Sequence, residues 1–422
     1  MNLIDGRIVG EADCRKFLDQ LGDFIAETLA GGFPDAQTVI SAADALSQSL
    51  CRENAASWLP ADDKAAAALL AQAKQFLSRA YLVRKLELEL GSNAFDFRET
   101  GNGRRVTFRP LGVLTHIAAG NAQGLPAFSV LEGLLTGNIN LLKLPGYDDG
   151  LSTALLHRLV GIEPKLKRYV SVFDLPSTDA QAIRRLLAVS DAAAVWGSDF
   201  AVTGIRALAP PGLQLIEWGH KLSFCCVTRR GESPEALAGI ARDICETEQL
   251  VCSSPQCVYY QTDSFDDLAA FGVRLAAVLE GTAVLYPPLT PDMHAQAEIT
   301  ELCLRSSLEE LLCGKTLIKG HSSCVIVDDD PSVAASPGFR TVWLKPMRAG
   351  QLDAALRRQH GYLQTAGVAC APDELSGLSE RLYRSGVCRV MPCGEMTSNT
   401  AGEPHDGQYA LRRYVKAVVS AE

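Results

Sequence analysis

The chain has no apolar run that could cross a bilayer. Its longest uncharged stretch, Pro110–Leu131, is broken by His116, Asn121, Gln123 and Pro126, a mixture that a helix in hydrocarbon does not tolerate. The opening MNLIDGRIVGEADCRKF carries acids and no apolar core, so no signal peptide is expected. No Lys/Arg cluster is dense enough to follow a phosphate backbone, and a net charge of −9 opposes both nucleic acid and anionic membranes. There is no Cys-x-x-Cys pair. The thirteen cysteines are odd in number and scattered, and the Cys-x4-Cys spacings at Cys252/Cys257 and Cys388/Cys393 lack histidine partners. Neither a disulfide framework nor a metal site is expected; these read as reduced thiols in a cytoplasmic protein. The Gly-x-Gly-x-x-Gly dinucleotide fingerprint is also missing, and GNGRRV at Gly101 is only a turn.

What remains is an ordinary globular composition, 47% hydrophobic and 21% charged, in 422 residues. That is too long for one small core, so two or three domains are expected. The first hundred residues are rich in Ala, Leu and charges with helical periodicity. CRKFLDQLGDFIAETLAGG places Phe17, Leu18, Leu21, Phe24, Ile25 and Leu29 on one face and ends at a glycine pair. These segments form a helical N-terminal layer without chemistry.

From Arg105 the pattern changes to strands alternating with helices of about ten residues: RVTFRPLGVLTHI, INLLKLP, YVSVFDL, AAAVWGS and LQLIEWG. This alternation indicates a doubly wound parallel sheet. A second alternation runs through SFCCVTR, QCVYYQT, SSCVIVDDD, FRTVWLKPM and GVCRVMPCG. The expected division is residues 1–221 as entry layer plus cofactor domain and 222–394 as a second α/β domain. Residues 395–422 return to the first domain as a strand. Parallel sheets bind ligands beyond the carboxyl ends of their strands, which directs attention to Asn121, Lys143, Gly197-Ser198 and Glu217.

Those positions, together with Cys252 in TEQLVCSSPQC, form a pattern. RPLGVLTHIAAGN, NLLKLP, VWGS and IEWGHK resemble the matching segments of aldehyde dehydrogenases, in the same order, and Cys252 follows Glu217 at a base-to-nucleophile spacing similar to that of the family. CSSPQ and LLTGNINLLKLP are similar to LuxC-type acyl-CoA reductases within that superfamily. The likeness is good from about Arg105 to Tyr260, weaker through HGYLQTAGVAC and HDGQYALRRYV, and absent from the first hundred residues. The departures are Gly146 where an acid usually follows the lysine, His220 in place of a second glycine, and no Glu-x-Phe-Gly-Pro counterpart in TVWLKPM. The chain is also short for the superfamily.

The resemblance implies an aldehyde-dehydrogenase-like fold and an NADPH-dependent reductase, with NADH as the alternative cofactor. Its substrate is acyl-CoA or another acyl thioester, supplied by CoA, a carrier protein or an acyl-transferring ligase, and the implied assembly is a homo-oligomer. Cys252 is implied as nucleophile, since a thiolate attacks thioesters readily; the ordinary alternative is a buried structural cysteine. The segment after it reads as the close of a strand or the opening of a helix, where a thiolate would be stabilised. Asn121 is implied as an oxyanion donor, against a simple turn cap. Glu217 moves protons, or is a strand-end carboxylate paired with Lys221. Lys143, Gly197, Ser198 and Gly219 are implied in cofactor binding, with Ser198 also suited to a plain helix cap. Gly146 removes the repulsion that a 2′-phosphate would meet. Two other readings stay open: oxidation of an aldehyde to the acid, and a non-reducing acyl carrier.

Overall fold

Strands joined by helical crossovers must pair in parallel, so two runs of alternation require two sheets. A computed structural model describes residues 1–56, 58–60, 63–118, 124–146, 150–311, 315–348 and 350–421. Contacts divide the chain into two units, Met1–Gly219 with Thr400–Glu422, and His220–Asn399.

The first unit opens with a hairpin of β1 (Asn2–Ile4) and β2 (Arg7–Val9). Its turn residues, Asp5 and Gly6, both have positive φ, at 46° and 74°, the conformation that suits a two-residue hairpin. Residues 1–9 therefore do not belong to the helical layer; three-residue strands are too short to display a period. Five helices follow: Glu11–Ala30, Ala36–Ser49, Arg52–Ala55, Asp63–Leu77 and Arg79–Leu90. The first buries Leu18, Leu21 and Ile25 in a cluster with Val113, Leu141 and Phe173. Next come β3 (Arg98–Gly101), β4 (Arg104–Pro110), β5 (Val113–Ile117), β6 (Ile139–Lys143), β7 (Val170–Phe173), β8 (Ala192–Trp196) and β9 (Gln214–Trp218). The main sheet has the order β2-β1-β7-β6-β5-β8-β9, and its last five strands are parallel.

The second unit is built from β10 (Leu222–Val227), β11 (Pro255–Tyr260), β12 (Lys315–Lys319), β13 (Cys324–Asp328), β14 (Thr341–Pro346), β15 (Leu363–Ala369) and β16 (Arg389–Pro392), in the order β12-β13-β14-β11-β10-β15-β16. Among the described residues only β12 is antiparallel. The chain then returns to the first unit, where β17 (Val415–Ser420) pairs with β4 in a three-stranded sheet, β17-β4-β3. Among the described residues no helix is long and apolar enough to cross a membrane.

The first unit carries a buried polar network. Asn140 Nδ2 donates to Asn138 O at 2.7 Å, leaving its Oδ1 to accept from His116 Nε2 at 3.0 Å. His116 Nδ1 then accepts from Ser129 Oγ at 2.8 Å, so the neutral imidazole satisfies both neighbours. A Cβ at Gly133 would fall 1.8 Å from Asn140 Oδ1, so only glycine lets its helix pass this close. Asn138 Nδ2 donates in turn to Tyr414 O at 2.9 Å, tying the returning segment to the sheet.

Burial pushes the His116 pKa down to about 4. Between that value and the ordinary histidine value of about 6.5, the unfolded chain binds the extra proton and the folded one does not, so stability rises with pH there. The contribution is complete above pH ~6.5 and is lost as pH falls toward 4. It amounts to about 3 kcal/mol. Urea titrations across that range should show this loss in the wild type, and His116→Gln should flatten the slope.

Candidate active site

The strand-end rule points to the carboxyl edge of the first sheet, and the pairing there is specific. Lys143 lies opposite Ile117, Ile117 opposite Val195, and Val195 opposite Glu217. Paired residues share a face, so all four side chains form one row, and three strand spacings separate its charged ends by about 14 Å. Lys143 is buried, and its Nζ donates to Ser177 Oγ at 2.8 Å. Burial lowers its pKa, with Asp174 opposing. Three residues on, a Cβ at Gly146 would meet open space.

Beyond β8, Gly197 has φ +152°, and a Cβ there would press on Ala201 Cβ at 3.2 Å. Ser198 caps the helix Asp199–Leu208 by accepting from Ala201 N at 3.4 Å; the remaining first-turn N–H groups make such a terminus suited to an anion. Glu217 is held by Arg206 of that helix, whose Nε and Nη2 donate to Oε1 and Oε2 at 2.9 and 2.5 Å. Such bidentate pairs fix orientation as well as charge. Arg206 is on the helix packed under the Glu217 face, and Lys221 Nζ donates to Gly361 O at 2.8 Å. Gly219 directly follows β9. Asn121 follows β5 and lies outside the described residues.

On the opposite face of the same edge, Trp196 and Trp218 stack with ring centres 5.2 Å apart, and His405 packs on both at 5.3 and 5.2 Å. The residue order hides this triad, because His405 arrives from the returning segment.

Cys252 belongs to the second unit. It is half-buried in the turn between the helix Pro234–Cys245 and β11. The Ser253-Ser254-Pro255 segment thus opens a strand, not a helix: Pro255 takes the first strand position, where its missing N–H is tolerated. A thiolate here draws no support from a helix N-terminus of its own segment. Gln364 of β15 donates from Nε2 to Cys252 Sγ at 3.2 Å, and Ser223 Oγ donates to Cys252 O at 2.6 Å.

The turn ahead of the cysteine is unusual. Glu248 and Gln249 have φ of 53° and 60°, and Phe339 and Arg340 have 50° and 61°, a left-handed conformation costly for residues with a Cβ. The two pairs lock together. Phe339 N donates to Glu248 O at 2.8 Å, and Arg340 Nε donates to Glu248 Oε1 at 2.8 Å with a second bond from Nη2. Arg340 Nη2 also reaches Tyr286 O at 2.6 Å. Both side chains are buried, at 0% and 4% exposure. Gln249 Nε2 then donates to Pro255 O at 2.8 Å, and Thr247 Oγ1 bonds Ser254 Oγ, closing the loop around Cys252.

The family model for acyl-CoA reductase (LuxC) matches residues 34–417. The long-chain acyl-protein thioester reductase of Vibrio harveyi is 26% identical over 352 residues, covering 81% of this chain and 71% of that protein. The Aliivibrio fischeri protein of the same name is 25% identical over 319 residues, covering 74% and 64%. The chain thus spans about two thirds of these relatives. Among solved structures, aldehyde dehydrogenase 21 of Physcomitrella patens superposes with a TM-score of 0.72 at 14% identity, covering 96% of this chain and 90% of that one. An indole-3-acetaldehyde dehydrogenase in complex with NAD+ gives 0.73 at 15%, covering 97% and 88%. The fold is therefore that of the aldehyde dehydrogenases, as the resemblance implied.

Arg340→Met should leave Glu248 buried without a counter-ion and destabilise the second unit by about 3–5 kcal/mol. Denaturant unfolding, followed by Cys252 accessibility to an alkylating probe, measures this.

Proposed function

The chain belongs to the acyl-CoA reductase (LuxC) family, and we propose that it reduces a long-chain acyl thioester to the aldehyde through a covalent acyl group on Cys252. The observation that carries this reading is the amide donor placed on a half-buried thiol, Gln364 Nε2 to Cys252 Sγ, in a turn fixed by a buried ion pair. A sulfur held in one position with a donor on it is prepared to act as a nucleophile.

The first unit holds the nicotinamide cofactor in this reading, and the second carries the nucleophile. The carboxyl edge fits such a group. Lys143 at one end of the row meets the adenosine ribose, Gly197 and the capped helix behind Ser198 receive the pyrophosphate, and Gly219 lies toward Glu217 at the other end. The absence of a side chain at Gly146 leaves space for a 2′-phosphate, which favours NADPH over NADH. When bound, the reduced nicotinamide supplies the hydride.

Cys252 attacks the acyl carbonyl, its electron pair forming the new C–S bond, and the carrier thiol departs. Asn121, with the Cys252 backbone N–H, receives the oxyanion. Glu217, released from Arg206, takes the Cys252 thiol proton on attack, passes it to the leaving thiol and later takes one from the thiohemiacetal hydroxyl. Collapse of that thiohemiacetal frees the aldehyde and returns the thiolate. The acyl donor is CoA, a carrier protein or an acylated ligase, in a cytoplasmic homo-oligomer.

Single-turnover mass spectrometry with long-chain acyl-CoA should show an acyl adduct on Cys252 that NADPH discharges as aldehyde, and Cys252→Ala should form none. An adduct indifferent to NADPH would instead identify a non-reducing acyl carrier, and discharge as the free acid would favour oxidation chemistry. Titration of NADPH should change the fluorescence of the Trp196–Trp218 stack. Gly146→Asp should lower kcat/KM for NADPH about tenfold or more relative to NADH, read from initial rates with each cofactor.

A further inference from the structure

We propose that Gln364 is a catalytic residue whose side-chain amide stabilises the Cys252 sulfur as an anion, both before acylation and as the aldehyde departs. The proposal rests on the reading of Cys252 as the acyl acceptor.

The geometry is set by β10 and β15 together. Gln364 is 5% exposed, and its backbone O accepts from Cys388 N at 3.0 Å. Next to it, Thr365 N donates to Ser223 Oγ at 3.1 Å, and that same hydroxyl donates to Cys252 O. One hydroxyl therefore links the strand that carries the donor to the turn that carries the sulfur. The amide cannot shift along the strand without breaking that link. The segment around it, LQTAGVA, is buried throughout, and an amide in such a strand is costly unless it is hydrogen-bonded. Lys221, with its Nζ on Gly361 O, Cys388, with its Sγ near Leu363 O and Gly386 O, Arg389, paired with Thr365 at the start of β16, and the Glu248–Arg340 pair also lie at this edge.

The sulfur passes through three states with different demands. A thiol accepts a hydrogen bond weakly, a thioester sulfur gives its electron density to the carbonyl, and a thiolate accepts a charge-assisted bond of roughly twice the ordinary strength. The Gln364 amide therefore favours the anionic state over the other two. In the last step the C–S bond breaks and its electron pair goes to Sγ, while the hydroxyl proton leaves and the carbonyl forms. The charge that develops on Sγ lies under the amide. Donation lowers the intrinsic nucleophilicity of the thiolate only partly, so a larger thiolate fraction still accelerates acylation near neutral pH.

The test uses the full chain carrying Cys388→Ser, which removes the exposed thiol beside Gln364, with Gln364→Met and Gln364→Glu added; both keep nearly the original volume. Alkylation of Cys252 by iodoacetamide, read on its peptide across pH, should have a midpoint in the parent below that of cysteine in a short peptide. Gln364→Met should raise it by about one unit, and Gln364→Glu further. In single turnovers Gln364→Met should slow acylation about tenfold at neutral pH and recover at alkaline pH, whereas aldehyde release should stay slow at every pH. A parent midpoint at or above the peptide value overturns the proposal without any variant. A parent that is acylated but indifferent to both substitutions overturns the catalytic role alone. A parent that takes up no acyl group overturns it together with the function proposed above.

Discussion

A buried guanidinium and a buried carboxylate organise the second unit. Arg340 and Glu248 have each left water almost completely, and each sits in a left-handed backbone conformation that its side chain disfavours. Neither strain nor desolvation would persist unless the surrounding structure over-determined it. Here the surroundings do: the strand β14 begins at the residue after Arg340, and the cysteine turn begins just after Glu248. The ion pair therefore fixes where one strand starts and where the reactive loop starts with a single contact. Hydrogen bonds from Gln249 and Thr247 then only have to close a short loop between two anchored points.

The first unit achieves precision differently, through sheet register. A one-residue slip would move Lys143 and Glu217 to the opposite face, beside the His116 network. Burial on both faces prevents this, because Asn140 and His116 would then be forced among Leu18, Leu21 and Phe173. The polar network on one face thus protects the placement of charged groups on the other.

Much of this could be read from the residues. The two alternations and the parallel sheets follow from periodicity, and the strand-end rule pointed to Lys143, Gly197, Ser198 and Glu217, which lie at or just beyond the ends of strands in the first sheet. The same rule was silent about the second unit, where Cys252 and Gln364 stand at the amino edge. Gln364 also lies in LQTAGVA, a run that shows no contrast between faces because both are buried. Arg206 and Arg340 carried no signal at all: a charged residue in a helix or before a strand looks solvated until its partner, 11 or 92 positions away, is brought beside it. The β1–β2 hairpin was missed for the opposite reason, since its strands are shorter than the period that would reveal them.

The split of the first unit has a consequence for synthesis. Residues 220–399 form a continuous segment and can begin to fold as soon as they leave the ribosome, because domains generally fold as units during synthesis. The unit that precedes them lacks β17 and the Asn138–Tyr414 bond until residues 414–420 are made. The first unit is therefore completed only after the second has been made, and until then β4 presents an unpaired edge of the kind that invites association with other chains. In the nascent chain, the segment most exposed to misassembly is β4, the middle strand of the three-stranded sheet.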